Sequence, residues 1–225
     1  MKTIAVIGTG RMGSLISRRL AKDYNLILID KNLRTCGDLA LELGAIGTSE
    51  YSFIQKADFI ITALSHLVLP KAVEEMSEHL KPQHVIINVS TDNEIDTFDP
   101  VKGKCKLAHA KIIGHAKEIG SGELPCILVG GENDEIEAKV AQIFSNMGVV
   151  CFGDESLVKK VNKIASEEGV RAAFGLQQRL EELDVPSEYI SFAIRNVASG
   201  VMNAYALGDA GPFVQEIIEK IKAES

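Results

Sequence analysis

"IAVIGTGRMGSLISRRLAK", residues 4–22, sets three glycines between an apolar run and an amphipathic pattern. A glycine triplet alone marks only a tight turn, so its surroundings decide what it does. The five residues before it, 3–7, are apolar and β-rich. After it, Met12, Leu15, Ile16 and Leu20 fall on one side of a helix. In such a strand-turn-helix, Gly8 permits the turn, Gly10 lets the backbone approach a pyrophosphate, and Gly13 lets the helix pack close to the strand. The amide groups at the helix start and its positive dipole end would face the phosphates. A second apolar run ends in Leu28, Ile29 and Asp30. That puts a carboxylate about 20 residues past the motif, where it can accept hydrogen bonds from ribose hydroxyls. Together these features predict a dinucleotide site.

Working outward, β-rich runs at 26–29, 59–63, 85–89, 127–129 and 149–152 alternate with helical patterns at 33–43 and 133–147. The runs are continuous rather than alternating, as expected of strands covered on both faces. The chain therefore reads as α/β, a doubly wound and mostly parallel Rossmann sheet over residues 1–153. From Glu155 no β-rich run follows. Residues 155–183 repeat apolar or small side chains at three- and four-residue spacing, and shorter helices are expected at 188–207 and 213–222. The stripe on the long helix, which includes Gly169, Ala172, Ala173 and Gly175, is more than the short helices can cover. Residues 154–225 are thus expected to be a small all-helical dimerisation and substrate domain, with a second copy of the chain as partner.

Composition narrows the partners. At 225 residues and 46% apolar the chain can bury a sizeable core, and its net charge of −7 argues against a nucleic-acid surface. Cys36, Cys105, Cys126 and Cys151 form no Cys-x-x-Cys pair, so no metal site or disulfide framework is expected. No apolar stretch reaches the ~18 residues of a membrane span and no signal peptide is evident, which predicts a cytoplasmic protein with a small-molecule substrate.

"IAVIGTGRMG" resembles the start of the superfamily of pyrroline-5-carboxylate reductase, 3-hydroxyisobutyrate dehydrogenase and coenzyme F420-dependent NADP oxidoreductase, Rossmann proteins of the 6-phosphogluconate dehydrogenase type. The resemblance implies a nicotinamide cofactor held by Gly8, Thr9, Gly10, Arg11, Met12 and Gly13. It also implies strand-end loops near the nicotinamide ribose, matched by "TALSHLVLP" (62–70) with Ala63, Leu64 and Ser65, and by "VIINVSTDNE" (85–94) with Ser90. The glycine-, proline- and threonine-bearing segments of the helical domain of pyrroline-5-carboxylate reductase are missing, so proline synthesis is not expected. The hydroxyacid dehydrogenases carry a catalytic Lys with an Asn one helical turn on. Here "LVKKVNKIA" offers Lys159, with Asn162 three residues later and Lys163 four later. A solvated helix face accounts for that stretch equally. "KLAHAKIIGHAKEIGSGELPCILVGG" (106–131) matches the F420-linked reductases in position alone.

Hydride transfer needs a proton donor or acceptor at the substrate. His109, Lys111 and His115 follow a short apolar run whose carboxyl end should open on the glycine loop's crevice, so His109 and Lys111 are catalytic candidates. The alternative is a strand cap and a solvated loop. His66 sits where it could contact cofactor or begin a helix, and His79 and His84 belong to the opposite end of the sheet. For cofactor choice, Asp30 favours NAD(H) by accepting both ribose hydroxyls, whereas Lys31 and Arg34 could admit the 2′-phosphate of NADP(H). The expected activity is an NAD(P)-dependent oxidoreductase acting on a small carbonyl, imine or hydroxyacid. The other reading is an inactive dinucleotide-binding regulator or scaffold.

Overall fold

The computed structural model describes residues 1–92 and 95–224. Asn93 and Glu94, which end the second strand-end loop segment, lie outside the described residues. Eight strands form one sheet: β1 (Thr3–Ile7), β2 (Asn25–Ile29), β3 (Ile46–Thr48), β4 (Phe59–Thr62), β5 (Val85–Asn88), β6 (Lys106–Ile113), β7 (Cys126–Gly131) and β8 (Val149–Phe152). Their spatial order is β3-β2-β1-β4-β5-β6-β7-β8. Every neighbouring pair is parallel except β6 with β7. The sheet is mostly parallel and doubly wound, as the run of buried strands predicts.

Each face carries its own core. Val6, Leu28, Ile61, Ile87, Ala108 and Ala110 meet helices α1 (Arg11–Leu20), α2 (Leu33–Leu43) and α5 (Asp134–Phe144). On the other face Ile7, Ile29, Ile60, Ile86 and Leu107 meet helix α3 (Leu69–Met76) and the 3-10 turns around Ile54 and Phe98. A short helix α4 (Ala116–Ser121) follows β6.

Two strands differ from the sequence reading. β3 is three residues long and largely exposed, too short to leave an apolar signature. β6 runs for eight residues and contains His109 and Lys111, which therefore do not follow a short apolar run but alternate with Ala108, Ala110 and Ile112 inside the strand.

The strand register fixes the site. Ile29, Ile7, Thr62, Asn88 and His109 pair in one row near the carboxyl ends of the parallel strands. The glycine loop, Asp30 and Ala63 continue from that row.

The chain divides into two compact units, residues 1–162 and 163–225, with the division inside helix α6 (Glu155–Glu181). The second unit is all-helical. After α6 come α7 (Ser187–Phe192), a π-helical turn (Ala193–Ala198), α8 (Ser199–Leu207) and α9 (Pro212–Glu224). The expected single helix over 188–207 thus runs through a π turn. Among its described residues only Ile190 is buried.

Candidate active site

The three glycines have distinct surroundings. Gly8 has φ +95°, and a Cβ there would lie 2.6 Å from the Ala63 carbonyl oxygen, so no other residue fits the turn. A Cβ on Gly13 would strike the Gly8 carbonyl, which is how closely α1 approaches the loop. A Cβ on Gly10 would meet nothing within 4 Å. Gly10 also begins α1 with no side-chain cap and no acid in the first turn. Open space above Gly10 and an uncapped helix start are what a pyrophosphate requires. The residues present fit a dinucleotide.

Beside the loop lies a cleft of about 360 Å³ lined by Gly8, Gly10, Asp30, Lys31, Ala63, Leu64 and Ser65. Ser49, Tyr51 and Val68 line it too and were missed in the sequence. The first two follow the unread strand β3, and Val68 precedes α3. Thr9 is buried and Arg11 exposed, while Met12 packs on the core beneath the loop. Arg34 is exposed on α2. Lys31 Nζ lies 3.7 Å from Glu75 in an exposed pair. His66 is exposed before α3, with Nδ1 3.9 Å from Asp92.

Asp30 is already engaged. Its Oδ2 accepts from the Thr9 amide at 2.6 Å and the Thr9 hydroxyl at 2.9 Å, and its Oδ1 accepts from the Asn32 amide at 2.9 Å. A carboxylate has about four acceptor positions. Both on Oδ2 are taken, so Asp30 can receive one ribose hydroxyl on Oδ1, not the two that its place at the strand end implied.

At the far end of the same row is a buried charged cluster. Lys111, 2% exposed, donates from Nζ to the Ser90 carbonyl in the loop after β5, and lies 3.4 Å from Glu155 Oε2. The same oxygen is 3.7 Å from His109 Nδ1. Gly130 of β7, paired with His109, is what lets the imidazole lie where it does: a Cβ there would be 2.6 Å from Nε2. The Nε2 edge is sealed against β7, and Nε2 has no hydrogen bond among the described residues. Burial pushes the His109 pKa down and Lys111 adds to this, while Glu155 opposes it. His109 is therefore neutral near pH 7.

Sequence reading missed Glu155, because an acid at a helix start is ordinary and nothing marks one turned inward. Lys159 stands apart from the cluster. Val158 is buried and Asn162 donates to the Ile112 carbonyl at 2.9 Å, so α6 turns its Glu155–Val158–Asn162 face to β6 and leaves Lys159 exposed. His115, exposed, precedes α4, and buried His84 accepts the Lys81 amide at Nδ1, well away from the crevice.

Comparison with known proteins agrees with this geometry. Residues 3–153 match the family model for the NAD binding domain of 6-phosphogluconate dehydrogenase. Over 103 residues the chain is 30% identical to a glyoxylate reductase from Pyrococcus furiosus, covering 45% of this chain and 30% of that one. The chain spans less than a third of the length of the curated relatives it matches. A pyrroline-5-carboxylate reductase structure from Coxiella burnetii superposes with a TM-score of 0.74 at 15% identity, over 97% of this chain and 84% of that one. A reductive aminase from Aspergillus terreus in complex with NADPH gives 0.69 at 17%, over 92% and 75%. These two likenesses show a shared fold. With two thirds of its length matched and the glycine loop in place, the chain belongs to the family of the NAD binding domain of 6-phosphogluconate dehydrogenase.

Proposed function

We propose that this chain is an NAD(P)-dependent oxidoreductase that moves a hydride between a nicotinamide and a small carbonyl, imine or hydroxyacid. The observation that carries the reading is the single strand row with a dinucleotide cradle along it and a buried lysine-carboxylate-histidine cluster at its end. A bound nicotinamide supplies or accepts the hydride. Lys111 is the residue for the proton: it lies nearest the Ser90 loop, its ammonium can donate to a developing alkoxide or amide nitrogen, and burial strengthens that interaction. His109, closed off on its Nε2 side, acts through Glu155 rather than on substrate. Lys159, on the exposed face, has no comparable support.

Residues 1–153 are proposed as the dinucleotide-binding part and 154–225 as a helical part that pairs two copies of the chain. Among the described residues no helix is long and apolar enough to cross a membrane, which fits the proposed cytoplasmic location. For the cofactor, the one acceptor position left on Asp30 supports NAD(H), and the pairing of Lys31 with Glu75 removes part of the cationic case for NADP(H). The reductive aminase, with its NADPH, is the counterweight.

The test is nicotinamide absorbance with NADH and NADPH against a panel of imines, 2-oxoacids and semialdehydes. Turnover is expected with at least one, falling about 10²- to 10⁴-fold in Lys111→Met with nucleotide affinity retained. Binding without turnover across the panel would return the chain to the regulator class. Asp30→Ser should weaken NADH binding, and a parent preference for NADPH untouched by that change would refute the assignment of Asp30.

A further inference from the structure

We infer that Glu155, the first residue of α6, is a positioning residue: one oxygen, Oε2, holds both the Lys111 ammonium and the Nδ1–H of His109, fixing the lysine at the crevice and the imidazole in one tautomer. The inference rests on the oxidoreductase reading for its purpose, though not for its geometry.

Three observations carry it. First, Glu155 is not needed where an acid at a helix start usually serves. Asp154 already takes the Ser156 amide on Oδ1 at 2.9 Å and the Ser156 hydroxyl on Oδ2 at 2.8 Å, so the helix end is capped. A carboxylate serving the helix dipole alone would stay in water. Glu155 turns in, with its side chain 17% exposed and Oε2 fully buried. Second, a lysine 2% exposed brings a charge into the sheet edge, and a buried charge is tolerated when a countercharge accompanies it. Glu155 supplies a countercharge from among the described residues. Third, the two ring nitrogens have different surroundings. Gly130 walls the Nε2 side, and the Nδ1 side faces Glu155. A carboxylate opposite Nδ1 favours the proton on that nitrogen and leaves Nε2 as a bare lone pair against the β7 backbone.

Oε2 stands 3.4 Å and 3.7 Å from its two nitrogens, outside close hydrogen-bond range and without a hydrogen bond among the described residues. The groups that bear on His109 electrostatically are Glu155 and Asp154 at the start of α6, Lys111 on its own strand, and Glu137 on α5. Glu155 is the foremost of the charges, so its removal should dominate over the rest.

The experiment is imidazole nitrogen NMR on uniformly ¹⁵N-labelled full-length protein without cofactor, with the His109 signals identified by their loss in His109→Gln. The parent should show His109 neutral at pH 7 with the proton on Nδ1. In Glu155→Leu that tautomer preference should be lost and protonation should move to lower pH, because both the acceptor opposite Nδ1 and the charge that favoured the imidazolium are gone. Glu155→Asp should restore part of both. The parent spectrum alone can overturn the inference: the proton on Nε2 would do so even if no variant folds. An unchanged tautomer and titration in a folded Glu155→Leu would do so as well. None of these readouts involves hydride transfer, so a positive result beside an inert enzyme would count against the oxidoreductase reading alone.

Discussion

Glycines that look alike in a string of letters differ sharply in what they permit. Gly10 has φ −66° and ψ −168°, extended backbone that any residue adopts, and nothing lies where its Cβ would go. Gly10→Thr also retains a residue suited to the helix start. Its thermal midpoint should stay near the parent's, while dinucleotide affinity falls by at least about tenfold, equivalent to about 1.4 kcal/mol, because the new atoms occupy the pyrophosphate's place. Gly13→Ala should behave in the opposite way. Its methyl meets the Gly8 carbonyl, so the loop must shift at a cost of about 1–3 kcal/mol. Calorimetric titration and thermal melts of both variants decide the matter. A Gly10 variant that binds as the parent does would remove the dinucleotide from this loop.

Among the elements, β1, α1 and β2 were legible because each carries a pattern that backbone chemistry demands: buried continuous strands, three glycines, an amphipathic helix and a strand-end acid. β6 was not. One of its two covered faces carries Leu107, His109 and Lys111, and two polar side chains where apolar ones are usual erase the strand signal. The site's charged cluster therefore hid the strand that holds it. Glu155 was illegible for a different reason, since only the packing of α6 on β6 turns it inward. Strand ends also set a pH response. His84, fully buried before β5, is pushed down by burial and then by Lys81, and His109 on β6 by burial and then by Lys111. Both fold neutral, whereas the unfolded chain takes up protons as pH falls below the ordinary histidine value of about 6.5. The unfolded state then binds more protons, so stability drops with pH in that window. Asp58 and Glu42, held below their ordinary 3.8 and 4.5 by Lys2 and Arg18, lose their contributions at lower pH still. Thermal midpoints should decline from about pH 7 to about pH 5.5, with a shallower slope in His84→Gln. A flat parent profile there would mean that these imidazoles are not held neutral.

At the scale of the molecule, the two units differ in how much of their apolar surface they bury. The first buries most of its large apolar side chains in two cores flanking the sheet. The second leaves Val170, Phe174, Phe192, Met202, Tyr205 and Phe213 at least half exposed. Isolated exposed apolar residues are ordinary, but twelve large apolar side chains at least half exposed among the described residues 163–224 make a surface that a monomer rarely keeps in water. Among the described residues of these helices only Ile190 is buried, so their own packing does little to offset it. A second copy of the same unit is the simplest cover, because a self-complementary patch closes on itself around a two-fold axis. Light scattering of the full-length protein should then report twice the 24.4 kDa chain mass. Phe174→Glu tests the surface directly. Phe174 is 60% exposed in the single chain, so a charge there costs the isolated fold little, yet it would be desolvated between two copies. The variant should keep the parent's far-ultraviolet dichroism and elute as a monomer. A parent that remains monomeric at high micromolar concentration would leave the helical unit's apolar surface to some other partner.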